Sequence, residues 1–237
     1  MTLAVPIVAG TAIRGLAATL MMRGVLRRHP NAFLITLAQF GLTLPLHRSQ
    51  APLGKDIRSG LVAQGADPDS PIVLVGHSQG AIASLRYAVD HPDQVQHVVS
   101  VGAPWHGSRS AARVARLVSR GDRTLAPALT DMAEGSAFLN RLHDDLPIIA
   151  DRVTNIYSTR EIVIQPYTAA HIDIPGVSNV LIATENEYRR HLATFPELGI
   201  DDHIDARVTH LGEMNSREVR ALIWRTVDTA SSRALDR

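Results

Sequence analysis

The sequence predicts an α/β protein with a mostly parallel central sheet of about six strands and helices on both faces. Short runs rich in Val, Ile and Leu recur along the chain, and stretches with helical character separate them. The runs do not alternate apolar with polar residues, as expected for strands buried on both faces of a parallel sheet. Strands that alternate with helices are typical of that architecture.

Six strands and six helices account for the pattern. The strands are predicted at Leu3–Val8, Phe33–Leu37, Ile72–Val75, His97–Val101, Val153–Tyr157 and Asn179–Ala183. The helices are predicted near 12–28, 56–64, 79–90, 108–120, 185–193 and 216–229, with Asn215 capping the last one. The 237 residues suit a single domain, 1–237, in which the long connection 104–150 is a candidate cap or lid insertion.

Composition excludes several kinds of partner and site. Lys and Arg number 24 against 23 Asp and Glu, so the net charge of +1 gives no reason to expect a nucleic-acid partner. The densest basic run, from Arg109 to Arg123, is expected to be the solvated face of a helix. The chain has no cysteine, which excludes disulfides, thiolate metal ligands and a cysteine nucleophile.

The apolar segments of the sequence indicate in which cellular compartment the protein is expected. No apolar stretch approaches the roughly 18 residues that a transmembrane helix needs. The apolar start, Met1 to Thr11, lacks the basic region that opens a signal peptide. We therefore expect a cytoplasmic protein, and a secreted protein whose signal has been removed is the alternative.

The strongest functional signal is Val75-Gly76-His77-Ser78-Gln79-Gly80, between a predicted strand and a predicted helix. This is G-x-S-x-G in the strand–turn–helix setting that makes the serine a nucleophile. The two glycines leave room where a side chain would clash, and His77 shapes the turn. The turn would hold Ser78 Oγ above the sheet edge, at the positive end of a helix. The alternative is a helix N-cap serine in a glycine turn.

A serine hydroxyl needs a base, and after this motif the chain order is Ser, then Asp or Glu, then His. His210 lies in a loop before the last helix, at the correct edge of the sheet, and is the favoured base. The alternatives are a generic surface role for His210, or His191 and His203, which lie in polar stretches.

Glu161 is the only carboxylate in the loop that follows the strand Val153–Tyr157, and it is the predicted acid. It would orient the imidazole and stabilise the imidazolium. The alternatives are a surface Glu161 paired with Arg160, with Asp173 or Glu185 as the acid.

An oxyanion hole needs two backbone N–H groups that point at the developing charge. The first is predicted from Gln79, directly after the nucleophile. The second is predicted from Thr11, after Gly10 in the loop that follows the first strand. A simple strand-ending glycine turn is the alternative for that loop.

The chain resembles the α/β-hydrolase superfamily, and within it the small single-domain bacterial triacylglycerol lipases and esterases. The resemblance covers most of the chain and rests on the serine motif and on four further stretches. They are Gly102-Ala103-Pro104-Trp105-His106-Gly107-Ser108, Gly135-Ser136-Ala137-Phe138-Leu139, Ile156-Tyr157-Ser158-Thr159 and His210-Leu211-Gly212.

Two departures from that family concern the site. The family has His-Gly at the oxyanion turn, where this chain has Ala9-Gly10. The family acid is usually Asp before x-Ile/Val-Val. Counting forward from Tyr157 places Glu161 at that position, whereas counting back from Ile162-Val163 places Arg160 there. Glu161 therefore implies a loop one residue shorter, with an extra methylene making up the length.

The resemblance implies a serine ester hydrolase that forms an acyl-enzyme and needs no cofactor and no metal. The expected substrate is a small-molecule or lipid ester with a medium-to-long acyl chain. An acyltransferase or thioesterase with the same three residues is the first alternative. A non-catalytic binding protein with this fold is the second.

Overall fold

The computed structural model describes residues 3–10, 22, 24–27, 29–37, 43–109, 113, 119–120, 123–124 and 126–235. The helices predicted at 12–28 and 108–120 lie largely outside these ranges. Of their described residues, 22, 24–26, 109 and 113 are helical.

Nine strands are found in the described part of the chain, and seven of them form one parallel sheet. In chain order they are β1 (Val5–Ala9), β2 (Ala32–Thr36), β3 (Ile72–His77), β4 (Val95–Val101), β5 (Ser119–Arg120), β6 (Arg123–Thr124), β7 (Val153–Ser158), β8 (Ser178–Ala183) and β9 (Asp202–Asp205). The sheet order is β2-β1-β3-β4-β7-β8-β9, and β5 pairs antiparallel with β6. The predicted fold class is confirmed, with seven strands in place of about six.

Six helices are bounded within the described residues. They are α1 (Leu46–Ala63), α2 (Gln79–Asp90), α3 (Pro127–Asp131), α4 (Ala137–Asp145), α5 (Glu185–Thr194) and α6 (Arg217–Leu235). Short 3₁₀ segments cover Leu146–Arg152, Tyr167–Ala170 and Glu213–Asn215. None of the helices in the described ranges is long and apolar enough to cross a bilayer.

Three helix predictions were wrong in their bounds. Helix α1 begins ten residues before the predicted 56–64 and contains Pro52. The helix predicted over 108–120 does not reach its predicted end, because Ser119–Arg120 forms a strand, and the basic run is therefore not one helix face. Helix α6, Arg217–Leu235, extends six residues beyond the predicted 216–229. Its cap is Ser216 and not Asn215, because Ser216 Oγ accepts a hydrogen bond from the Val219 N–H at 3.4 Å.

The core lies on both faces of the sheet, because successive strand side chains point in opposite directions. On β1, Val8 packs with the cluster that includes α1 and α2, whereas Ile7 packs with the cluster that includes α6. On β3, Leu74 and Val75 divide in the same way. Strands β1, β3 and β4 are thus held from both sides, and their carboxyl ends form a rigid edge. Open α/β sheets place ligands at that edge.

Candidate active site

Ser78 lies at the carboxyl end of β3, in a backbone conformation that residues other than glycine rarely adopt. Its φ is +58° and its ψ is −126°. It is the one residue other than glycine with a positive φ in the described part of the chain. The Ser78 N–H donates to the Val101 carbonyl at 2.8 Å, and the Ser78 carbonyl accepts from the Ala81 N–H at 2.9 Å. The end of β4 and the first turn of α2 therefore fix the turn from both sides.

The two glycines of the motif are required by close backbone contacts. A Cβ on Gly76 would lie 2.5 Å from Ala81 Cα, and a Cβ on Gly80 would lie 2.2 Å from the Val8 carbonyl oxygen. Real Cβ atoms do not approach backbone atoms so closely. Any side chain at either position would push α2 away from the sheet and move Ser78.

His210 and Glu161 meet in a buried hydrogen bond. The His210 Nδ1–H donates to Glu161 Oε1 at 2.8 Å, and each residue is only 3% exposed. Glu161 follows β7, and His210 lies between β9 and α6. The other carboxylate oxygen, Oε2, accepts from the Ile164 N–H at 3.3 Å. Because Nδ1 carries the hydrogen, Nε2 of a neutral His210 has a free lone pair.

The imidazole of His210 lies against the strand end that also holds Ser78. A Cβ on Gly102, whose φ is +57°, would lie 3.0 Å from His210 Nδ1 and 3.1 Å from its Cε1. Gly102 directly follows Val101, the residue that accepts the Ser78 N–H. The structure thus brings Ser78, His210 and Glu161 to one edge of the sheet.

His77 joins the serine turn to the loop of His210. Its Nε2–H donates to the His210 carbonyl oxygen at 2.9 Å, and the two rings are 4.8 Å apart. Burial lowers the pKa of His77 to about 3, and the neighbouring His210 adds to the effect. His77 is therefore neutral at physiological pH and acts as a hydrogen-bond donor to the backbone of His210.

Sequence patterns did not single out Glu213, which is a buried carboxyl group beside His77 and His210. Its Oε2 lies 3.9 Å from His210 Nδ1 and 3.5 Å from His77 Nε2. Burial raises the pKa of Glu213 well above its ordinary value, and the carboxylate of Glu161 raises it further. The available signal was the spacing His210-x-x-Glu213, which places the two residues on one face of a helical turn.

Ligand atoms of His77, His210 and Glu213 lie within 4.8 Å of one another, close enough in principle to hold a metal ion. The two imidazole nitrogens that face Glu213, His77 Nε2 and His210 Nδ1, each donate a hydrogen bond to another group. His77 Nε2 donates to a carbonyl oxygen, and His210 Nδ1 donates to Glu161. With a hydrogen on each of these nitrogens, neither has a lone pair to offer a metal ion.

Of the two predicted oxyanion donors, only Gln79 lies within the described residues. Gln79 is buried and is the first residue of α2. Gly10 approaches it closely, because a Cβ on Gly10 would lie 3.5 Å from the Gln79 nitrogen and 3.1 Å from Ser78 Cβ. Thr11 lies outside the described residues. The loop after β1 therefore reaches the serine turn one residue before the predicted second donor.

The alternative acids are engaged elsewhere. Arg160 pairs with Glu187 at 2.7 Å rather than with its neighbour Glu161. Asp173 accepts from the Trp105 indole N–H at 3.3 Å. Glu185 pairs with Arg189 at the surface.

The alternative bases are also occupied by other groups. His191 Nδ1 lies 2.8 Å from the Tyr167 hydroxyl. His203 Nε2 donates to the Ala183 carbonyl at 2.8 Å, and its ring stacks on Tyr188. Neither histidine has a contact with Glu161 or Glu213 among the hydrogen bonds and ion pairs of the described residues.

Comparison with known proteins agrees with the fold. The family model for the α/β hydrolase fold matches residues 61–147. A triacylglycerol lipase from Pseudomonas fragi is 42% identical over 78 residues, which are 31% of this chain and 26% of that lipase. The match thus spans about a quarter of the length of that relative.

Two solved structures share the fold over most of the chain. One of two metagenome-derived lipolytic enzymes, LipS and LipT, has a TM-score of 0.61 at 13% identity, covering 96% of this chain and 93% of its own. Lipase B from Aspergillus fumigatus has a TM-score of 0.57 at 20% identity, covering 90% of this chain and 49% of its own. The chain has the α/β-hydrolase fold and resembles bacterial lipases.

The strained backbone of Ser78 predicts a stabilising substitution. Ser78→Gly should raise the free energy of unfolding by about 1 kcal/mol. It removes a strain of ~1–3 kcal/mol and adds the smaller entropy cost of glycine. For a chain of this size the melting temperature should rise by roughly 2–4 °C.

Ser78→Ala is the matched control for this measurement, because alanine keeps the Cβ and removes the hydroxyl. It should melt close to the wild-type protein in the same thermal scan. Equal melting temperatures for the Gly and Ala variants would show that the turn stores no strain.

Proposed function

We propose that this protein is a serine carboxylic ester hydrolase, with Ser78 as nucleophile, His210 as general base and Glu161 as the acid that orients His210. The observation that carries the proposal is the buried His210–Glu161 hydrogen bond beside a strained, partly exposed serine. The bond fixes the tautomer in which Nε2 can accept a proton. A base held in this way is what a serine nucleophile requires.

In the proposed reaction, Nε2 of His210 takes the proton of the Ser78 hydroxyl as Oγ attacks the ester carbonyl carbon. The resulting imidazolium is stabilised by the carboxylate of Glu161 and then donates its proton to the departing alcohol oxygen. The acyl group remains on Oγ. A water molecule, deprotonated by His210, attacks the acyl carbonyl and releases the acid, and the proton returns to Ser78.

The negative charge of the tetrahedral intermediate needs donors that are in place before the reaction. We assign this role to the backbone N–H groups of Gln79 and Thr11. The close approach of Gly10 to Ser78 and to the Gln79 nitrogen supports the assignment, because the loop after β1 begins beside the serine turn. Gln79 also lies at the N-terminus of α2, where the helix dipole favours negative charge.

We assign an apolar acyl chain to the substrate because exposed apolar side chains lie beside the acid and the base. Ile162 and Val163, which follow Glu161, are 65% and 41% exposed, and Leu211, which follows His210, is 50% exposed. Apolar side chains grouped beside a site are typical of a surface that receives an apolar ligand.

The side chains of Ile162, Val163 and Leu211 are called the apolar rim below. The connection 104–150 is the proposed cover of this rim. Its residue Ser108 donates from Oγ to the Val163 carbonyl at 2.9 Å, and the His106 N–H donates to the Ala169 carbonyl at 2.8 Å. Both bonds tie the connection to the chain that follows Glu161. This attachment supports the prediction of a cap or lid within a single domain.

Ser78→Ala should abolish ester hydrolysis and labelling by a fluorophosphonate probe, since both reactions need the serine oxygen. The measurements are hydrolysis of a chromogenic ester and gel detection of the probe. Ser59→Ala, which changes an exposed serine of α1, is the control and should be labelled like the wild type. Labelling of the Ser78→Ala variant would disprove the assignment of the nucleophile. An unlabelled wild-type protein would favour the non-catalytic alternative.

Glu161→Gln should lower kcat by about 10²–10³-fold, because the amide preserves the shape and removes the charge that stabilises the imidazolium. Glu161→Asp should lose less, because it keeps the charge and withdraws it by one methylene. The control is Glu185→Gln, at an exposed glutamate paired with Arg189, which should retain wild-type kinetics. Near-full activity of the Glu161→Gln variant would place the acid elsewhere.

Ile162→Ser and Leu211→Ser should reduce the preference for long over short acyl chains. Loss of one apolar contact of this size corresponds to roughly tenfold in the ratio of kcat/KM for a decanoyl and an acetyl ester. Val62→Ser, at a similarly exposed residue of α1 (59% exposed), is the matched control. If all three variants keep the wild-type ratio, the apolar rim does not contact the acyl chain.

A further inference from the structure

Two buried carboxyl groups face the same imidazole nitrogen. Glu161 Oε1 accepts the His210 Nδ1–H at 2.8 Å, and Glu213 Oε2 lies 3.9 Å from the same atom. Glu161 is 3% exposed and Glu213 is completely buried. Two buried carboxyl groups that face one nitrogen repel each other when both are charged, and burial disfavours the charged form of each. Both effects favour a proton on one of them.

The hydrogen bonds decide which carboxyl group carries the charge. Glu161 accepts two N–H donors, one from His210 and one from the Ile164 backbone. Neither oxygen of Glu213 accepts a hydrogen bond from any group in the described residues. A buried carboxylate without a donor is strongly destabilised, whereas one with two donors is not. The charge therefore resides on Glu161.

The remaining titratable neighbour of Glu213 supplies no counter-charge. His77 Nε2 lies 3.5 Å from Glu213 Oε2, but its hydrogen is donated to the His210 carbonyl. His77 is also held neutral by burial. The groups that face Glu213 are thus a neutral imidazole, the base and an anionic carboxylate.

We propose that Glu213 keeps its proton at neutral pH and donates it to the Glu161 carboxylate, as a positioning residue that fixes the acid against His210. The inference rests on the proposed function for its effect on catalysis. Burial and the adjacent Glu161 both raise the pKa of Glu213, which agrees with this assignment.

The space for the Glu213 carboxyl group depends on Gly102, whose φ is +57°. A Cβ on Gly102 would lie 2.5 Å from Glu213 Oε2, so only glycine fits beside this carboxyl group. Glu161 has one more rotatable bond than an aspartate and lies on a loop. A third hydrogen bond from Glu213 would restrict that extra freedom. Positioning of the base within a fraction of an ångström is worth up to about 10²-fold in rate.

The first test compares Glu213→Gln with Glu213→Met. Glutamine can still donate an N–H to Glu161, whereas methionine has a similar volume and no donor. We expect kcat of the Gln variant to exceed that of the Met variant by ten- to a hundredfold, with similar KM values. A purely space-filling role predicts equal kcat values and would overturn the proposal.

The pH dependence of kcat/KM for Glu213→Gln gives a second readout. Replacement of a neutral acid by a neutral amide should leave the acid limb of the profile in place. If Glu213 were ionised, its loss would remove a negative charge 3.9 Å from His210 Nδ1. The imidazolium would then be less stable, and the limb would move to lower pH. Such a shift would overturn the proposal.

The proton itself can be observed without any assay of activity. Infrared difference spectra of the wild type and Glu213→Gln at neutral pH should show the C=O stretch of one protonated carboxyl group in the wild type alone. Absence of this band would overturn the proposal even if the Met variant does not fold. The band together with an unreactive Ser78 would refute the proposed hydrolase and leave the assignment of the proton standing.

Discussion

The tight turn between β3 and α2 is the constraint on which the rest of the site depends. A φ of +58° at a residue with a side chain costs ~1–3 kcal/mol, and the surrounding structure must supply that energy. Strand β3 lies inside the sheet between β1 and β4, and Gly76 and Gly80 allow α2 to pack closely against it. The position of Ser78 is therefore fixed by the most deeply buried part of the fold.

Sequence patterns predicted the parts of the molecule whose local chemistry matches their final environment. The six apolar strands were located to within two residues at each end, because strands buried on both faces need continuous runs of Val, Ile and Leu. The serine motif was recognisable because both glycines are sterically required: Gly76 must clear Ala81 within the turn, and Gly80 must clear the Val8 carbonyl on the neighbouring strand β1. Chain order after that motif, together with positions in loops at one edge of the sheet, led to the prediction of His210 and Glu161, and the structure joins these two residues by a hydrogen bond of 2.8 Å.

The features that were not predicted depend on distant parts of the chain. Strand β9, Asp202–Asp205, is polar and partly exposed at the sheet edge, so it has no apolar run. Helix α1 contains Pro52, which normally ends a helical prediction. Glu213 reads as an ordinary polar loop residue, and its complete burial follows only from the packing of Gly102, His77 and His210 around it.

The ambiguity between Arg160 and Glu161 has a structural answer that neighbouring elements impose. Arg160 pairs with Glu187, whose carboxylate also accepts the N–H and the hydroxyl of Thr184 at the start of α5. The Arg160 N–H donates to Ser158 Oγ at 3.0 Å, which holds the loop at the end of β7. With the cation anchored outward on α5, the next residue enters the interior, where His210 Nδ1–H is the donor it meets. The outward pair thus sets the register in which Glu161 can reach His210.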